Sequence, residues 1–351
     1  MSPPVVWKTF GLFEPRIDGD ESLMQLASCR FADVGMGAEV HAMTEDDLRW
    51  VLRFRPRQDS PVVLHLPRHF NLPDPQAHEQ ILRFADGFSS SIYGMVLHDS
   101  LDLLDHSDEY LQSAKRMDAE LRKHQPGPRL FVEYAVGLEP EKFKTFFSAI
   151  ADLERVSACI DIGHVSMRAA AVHFAAKHRG RDLRELKSQG PELPGLMSDV
   201  EEAVGAGRRA VIDLVSAVGA LNKPMHFHLH DGHPLSTFSR FGVADHLSFF
   251  TDIPLNFTYK GRNAMGTAFG PKGLGEVIAT ALGAGAGELS FTLEIHPTEE
   301  QLPLGDAAPL FNRWRDKTNA EKMNHWLAVL VKNHTLLQQC LEAASRGRAR
   351  N

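Results

Sequence analysis

Cysteine, tryptophan and tyrosine are scarce in this chain: three, four and four among 351 residues. Cys29, Cys159 and Cys340 are an odd number and widely spaced, which excludes a disulfide framework and gives no sign of a cysteine-based zinc site. Long apolar runs are missing too. No stretch approaches the ~20 uncharged apolar residues of a membrane span, and the start, MSPPVVWKTF, lacks the charged-then-apolar layout of a secretory leader. A cytoplasmic address is the expectation. Positive charge is not in excess: 38 Lys and Arg against 45 Asp and Glu give a net −7. That weighs against a general polyanion binder, because affinity for a phosphate backbone is built mostly from Lys and Arg. With 43% hydrophobic and 24% charged residues, the chain can bury a sizeable core, and disorder as its main theme is excluded.

Histidine is what the chain has in quantity, 18 in all. It is the commonest metal ligand and the usual proton shuttle near neutral pH. His78, His124, His178 and His325 read as surface or helix residues; the question is where the others sit.

Short apolar or β-branched runs alternate with helical patterns along the whole length. Eight strands are predicted, at 5–13, 31–36, 61–66, 92–98, 129–135, 156–162, 224–230 and 289–295. Helix signals lie between them. Thr44 precedes an acidic first turn, Asp74-Pro75 opens a segment expected to stop near Gly87, and 105–124 and 139–153 are amphipathic. Met323, Trp326, Leu327 and Leu330 form one apolar stripe of a C-terminal helix, with a basic tail at 346–351 expected to fray. Strand alternating with helix implies right-handed parallel units, and eight of them favour closure into an α/β (β/α)8 TIM barrel. No glycine-rich phosphate fingerprint follows the first strand. One barrel domain over 1–351 is expected, with long loops after strands six and seven; the second, 232–283, is an extended insertion.

A barrel demands that functional side chains sit at the C-terminal ends of strands. His65, His98, Glu133, Asp161 with His164 behind it, His226, His228, His230, Asp231 and Glu294 all fall there. Glu133, Asp161 and Glu294 are each flanked by apolar residues. Inward-pointing carboxylates are expensive unless paired or bound to a cation, so the joint pattern reads as a divalent metal site.

The string Val132-Glu133, Cys-Ile-Asp161-Ile-Gly163-His164, His228-Leu-His-Asp231 and Leu-Glu294-Ile resembles the xylose-isomerase-like barrel superfamily. That superfamily holds sugar-phosphate isomerases and epimerases, dehydratases, lyases and endonuclease IV-type enzymes. The resemblance spans strands three to eight and implies Glu133, Asp161, His228 and Glu294 as metal ligands. It implies Glu133 and Glu294 as the proton-moving pair, and His164 on a substrate oxygen or on another metal. Three carboxylates and one imidazole make a hard site that favours Mn2+, with Mg2+ or Co2+ also suited; added histidines pull the choice towards Zn2+. A metal that polarises a carbonyl and its neighbouring hydroxyl acidifies the carbon between them, which suits isomerisation or epimerisation of a sugar, polyol or hydroxyketone, or a related lyase or dehydratase reaction.

The arginine that ketose 3-epimerases carry six residues after the strand-seven histidine is replaced by Pro234. The rival expectation is a multi-zinc phosphoester hydrolase of the endonuclease IV type, with His65, His98, His164, His230, Asp231, Asp245 and His246 as additional metal or substrate residues. The acid-rich 99–109 segment argues against a nucleic-acid substrate. A further alternative is the metal-binding subunit of a hetero-oligomeric lyase, with the 232–283 aromatics docking an unlike subunit or a second copy of the chain.

Overall fold

A computed structural model describes residues 6–13, 20–57, 60, 62–135, 138–186, 190–235, 250–251, 258–259, 262–263, 267–285, 287–294 and 320–348. The barrel strands are β1 (Val6–Leu12), β2 (Gly37–His41), β3 (Val62–His65), β4 (Ile92–His98), β5 (Arg129–Glu133), β6 (Val156–Asp161), β7 (Met225–Leu229) and β10 (Glu288–Glu294). All pair in parallel, each with its sequence neighbour, and β10 pairs back onto β1 from Val6↔Glu288 to Leu12↔Glu294. The expected (β/α)8 barrel is therefore closed. A two-residue hairpin, β8 (Thr258–Tyr259) with β9 (Arg262–Asn263), lies inside the insertion. About half of 232–283, including Asp245 and His246, falls outside the described residues.

Local chemistry accounts for the helices. In α2 (Glu45–Arg53), Thr44 Oγ1 accepts from Asp47 N–H and the Asp47 carboxylate accepts in return from Thr44 N–H, a capping box. Asp74 caps α3 (Pro75–Phe88), which ends one residue past Gly87, where the stop was expected. The second strand departs from expectation. Residues 31–33 end α1 (Glu21–Asp33), where Leu23, Met24, Ala27 and Phe31 form the buried stripe. Gly35, at φ +72°, then turns the chain into a strand that starts at Gly37. The apolar FADVGM run is a helix end and its turn; the strand is the more polar GAEVH.

The extra chain after β6 forms two helices, α6 (Ile162–Lys177) and α7 (Leu193–Gly219). The final helix, α9 (Ala320–Arg348), packs on α8 (Gly270–Gly283) and α1, and closes the outer ring. It carries 346–348 within it, so of the tail expected to fray only 349–351 lies outside the described residues. One tie between α9 and the barrel is buried: His334 Nε2 lies 2.9 Å from Thr9 Oγ1. Burial lowers His334 from 6.5 to about 4, so the native ring stays neutral while the unfolded chain protonates below 6.5. Its contribution is complete above 6.5 and is lost as pH falls through about 4, up to ~3 kcal/mol at 1.36 kcal/mol per pH unit. Denaturant unfolding at stepped pH should therefore show His334→Gln losing less stability than wild type over that window. Parallel profiles would refute the linkage.

Inside the barrel, Phe10, Val63, Tyr93, Val96, Phe131 and Cys159 form an apolar plug. His226 stacks on Phe131 at 5.0 Å between ring centres and forms the polar upper surface of that plug.

Candidate metal centre

Strand register brings the expected residues to one level. His98 is the Cα partner of Glu133, Asp161 that of His228, and His41 that of His65. Glu133, Asp161, His228 and Glu294 each place a ligand atom within 4.8 Å of the others, and all four are buried. His228 Nδ1 lies 3.2 Å from Glu133 Oε1 and 3.3 Å from Glu294 Oε2. Neither contact is aligned as a hydrogen bond, and Glu133 Oε2 and His228 Nδ1 have no hydrogen-bond partner. Ligand atoms about 2.1 Å from one tetrahedral ion would sit roughly 3.4 Å apart. The observed spacings match an ion cradle, and orphaned buried polar atoms are what such a cradle leaves when the ion is ignored.

The electrostatics agree. Glu133 is held well below the usual carboxylate range: burial pushes the other way, but His228 and His98 outweigh it. Asp161 is lowered in the same sense by His164 and His230 against the effect of burial. His228 is raised well above 6.5 although burial opposes its protonation, through Cys159 first and then Glu39, Glu133 and Glu294 around it. Burial pushes the Cys159 thiol itself up well above 9.0. Without a metal, a proton on His228 is the nearest substitute for the missing cation.

Glu39 is a site residue that sequence reasoning missed. Its Oε1 lies 3.0 Å from His228 Nε2, and its Oε2 accepts from Thr292 Oγ1 at 2.5 Å and lies 3.3 Å from His226 Nε2. A carboxylate on Nε2 leaves Nδ1 as the ligand nitrogen, the usual way an outer carboxylate fixes a ligating imidazole. The signal was present in Ala38-Glu39-Val40, an acid between apolar residues, but the strand had been placed six residues too early.

The three β7 histidines divide the work. His226 is spent on Ser290 Oγ at 2.7 Å and on Glu39. His228 is central. His230, just past the strand, meets Asp161 Oδ1 at 2.9 Å. Asp161 also caps α6, accepting from His164 N–H at 2.8 Å, and Asp161, His164 and His230 form a second potential ligand set. Only glycine fits at 163, since a Cβ there would come within 2.0 Å of the His230 ring. A third set is His65, His98 and Glu133. His65 Nε2 and His98 Nε2 are 3.2 Å apart and lie 3.6 and 3.3 Å from Glu133 Oε2. Burial lowers His65 to about 4, so it is a neutral donor atom at physiological pH.

Asp231 does not face the centre. It accepts backbone N–H groups from Gly232, Ala268, Phe269 and Gly270, and so ties the end of the insertion and the start of α8 to β7. On the outer face, Lys177 pairs with Asp199 and Glu202, Arg181 with Glu192 and Arg208 with Glu276. His124 and His178 pair with Asp86 and Asp199, away from the mouth. Among the described residues, no helix is long and apolar enough to cross a membrane.

No protein-family model matches the chain, and no curated protein is significantly similar to it. Solved structures are. A xylose isomerase domain protein from Alicyclobacillus acidocaldarius aligns over 94% of this chain and 99% of its own, at 14% identity and TM-score 0.42. A xylose isomerase-like TIM barrel protein from Mycobacterium smegmatis, in complex with magnesium, aligns over 96% and 98%, at 11% identity and TM-score 0.46. The carboxyl transferase domain of Rhizobium etli pyruvate carboxylase aligns over 95% of this chain and 48% of its own, at 9% identity and TM-score 0.40.

Proposed function

We propose that the chain is a divalent-metal-dependent enzyme that isomerises, epimerises or eliminates on a small sugar-like polyol or hydroxyketone. One observation carries the reading: Glu133, Asp161, His228 and Glu294, from four strands, converge within 4.8 Å in a buried mouth. An ion held there supplies Lewis-acid polarisation of vicinal substrate oxygens, with Mn2+ the favoured occupant and Mg2+, Co2+ or Zn2+ the alternatives. Glu133, kept anionic by its imidazole neighbours, and Glu294, at the end of β10, serve as ligands and as the proton-moving pair: one takes the proton from the substrate carbon and the other returns a proton, to the opposite face in epimerisation. His164, fixed in the first turn of α6 by its backbone bond to Asp161, orients a substrate hydroxyl.

Phosphoester hydrolysis is the second reading, favoured by a specific feature. The His65–His98–Glu133 triangle is contiguous with the central set and shares Glu133 with it, and a one-ion proton-transfer site does not need it. Metal analysis beside two substrate panels separates them. About one Mn-like ion per chain, unchanged in His65→Ala and His98→Ala, with turnover on hydroxyketones, inososes or keto-glycosides, supports the first reading. Two or three zinc ions, one of them lost in either variant, with cleavage of a p-nitrophenyl phosphodiester, overturns it in favour of the second.

A further inference from the structure

At the other end of the barrel, where the strands begin, a cavity of about 320 Å³ is lined by Lys8, Tyr93, Arg129, Arg155, Glu288 and serines that include Ser91. Six residue steps of β10 separate Glu288 here from Glu294 at the mouth, roughly 20 Å at ~3.3 Å per step. The two places cannot share a small ligand.

The charge of this cavity is lopsided. Three cationic side chains face one carboxylate, and that carboxylate is already engaged: Glu288 accepts from Arg129 Nη2 at 2.7 Å and from the Tyr93 hydroxyl at 3.0 Å. Lys8 makes no ion pair among the described residues; its ammonium lies 4.5 Å from the Tyr93 ring centre. Arg155 donates to the carbonyls of Gly127 and His124 at 2.8 and 3.5 Å. Those neutral acceptors fix the guanidinium without cancelling its charge. Burial is the main cause that pushes Arg155 below its ordinary value; Arg129 acts in the same direction, while Glu154 and Asp118 act against it. Arg129 Nε is buried with no hydrogen-bond partner. Behind the serines, Arg55 Nη2 donates to Ser91 Oγ at 3.2 Å, which leaves the Ser91 hydroxyl hydrogen available to a ligand. This is surplus positive charge in a chain of net −7.

We propose that this cavity is an anion site for the phosphate group of a small metabolite, separate from the metal centre. A guanidinium fork, a lysine point charge and hydroxyl donors together match a tetrahedral oxyanion. Lys8 supplies the unspent donor, Arg129 and Arg155 the long-range charge and Ser91 a neutral donor. The binding is electrostatic and should weaken as salt rises.

Calorimetric titration of the full chain with inorganic phosphate at low ionic strength tests this. Saturable binding of one phosphate per chain is expected, weakened at least ~10-fold by Lys8→Glu, which reverses a charge at the anion, and unchanged by Glu294→Gln at the far mouth. Absence of saturable binding overturns the proposal. So does full affinity in Lys8→Glu, or loss of binding in Glu294→Gln, which would place the phosphate at the metal centre. Should Lys8→Glu fail to fold, Lys8→Gln decides by the same comparison, with a loss of at least ~3-fold expected for a neutral replacement.

Discussion

Replacing Glu294 with Gln should cut turnover by at least ~100-fold while the barrel stays folded, the low end of what a positioned acid–base group contributes. The substitution keeps shape and burial but removes a negative charge and the proton acceptor, at an oxygen 3.3 Å from His228 Nδ1. Glu294 closes β10 in full register with β1, from Val6↔Glu288 to Leu12↔Glu294, so the backbone has no reason to move. Circular dichroism and thermal unfolding check the fold, metal analysis checks occupancy, and the substrate panel reads turnover. Unchanged turnover at normal occupancy would remove Glu294 from the mechanism. If occupancy falls along with turnover, metal titration back to saturation separates the roles: a ligand alone recovers, a proton acceptor does not.

Chelation should destabilise the protein, and more so at higher pH. In the metal-free centre His228 is raised well above 6.5 by Cys159, Glu39, Glu133 and Glu294 against the effect of burial. Its proton therefore contributes stability that is full below 6.5 and is lost as pH rises through the raised native value. Glu39, Glu133 and Asp161 are lowered, so their contributions are already complete above the ordinary carboxylate range and stay constant over the same span. A bound ion takes the place of the proton and removes the loss. At a thousandfold excess over Kd the ion is worth ~4 kcal/mol, roughly 5 °C in Tm for a chain of this size. Melting curves with and without chelator, at about pH 6 and about pH 8.5, should show the gap widening with pH. A gap that narrows, or none at all, would mean that no cation belongs among these carboxylates.

Most of the central site was legible because its residues violate their surroundings. An acid between apolar neighbours, as at Glu133, Asp161 and Glu294, stands out in any strand whose other members must face helices or barrel interior. His228 was legible for the opposite reason, as one of three imidazoles at alternating positions, and the alternation could not say which one ligates. Buried hydrogen bonding separates the three: Ser290 and Glu39 hold His226, Asp161 holds His230, and His228 is left as the proposed ligand. Glu39 was lost through one misplaced strand. The apolar residues of 31–36 look like a strand over six positions and like a helix end only when Leu23, Met24 and Ala27 extend the stripe backwards. Asp231 misled in the other direction, since its place beside a ligating histidine suggested chemistry. Its actual partners, the backbone groups of 268–270, lie 37 to 39 residues ahead and carry no side-chain signal.

The sequence by itself determined a repeating strand–helix chain and the acids and imidazoles at its strand ends, because periodicity and polarity are local properties of a chain. Which of those groups share a cation, which are spent on neighbours, and how close His65 and His98 come to Glu133 were decided only by closure of the barrel. Closure sets register and ring orientation between strands far apart in sequence, and ligand geometry depends on ångström-scale distances that no local pattern encodes.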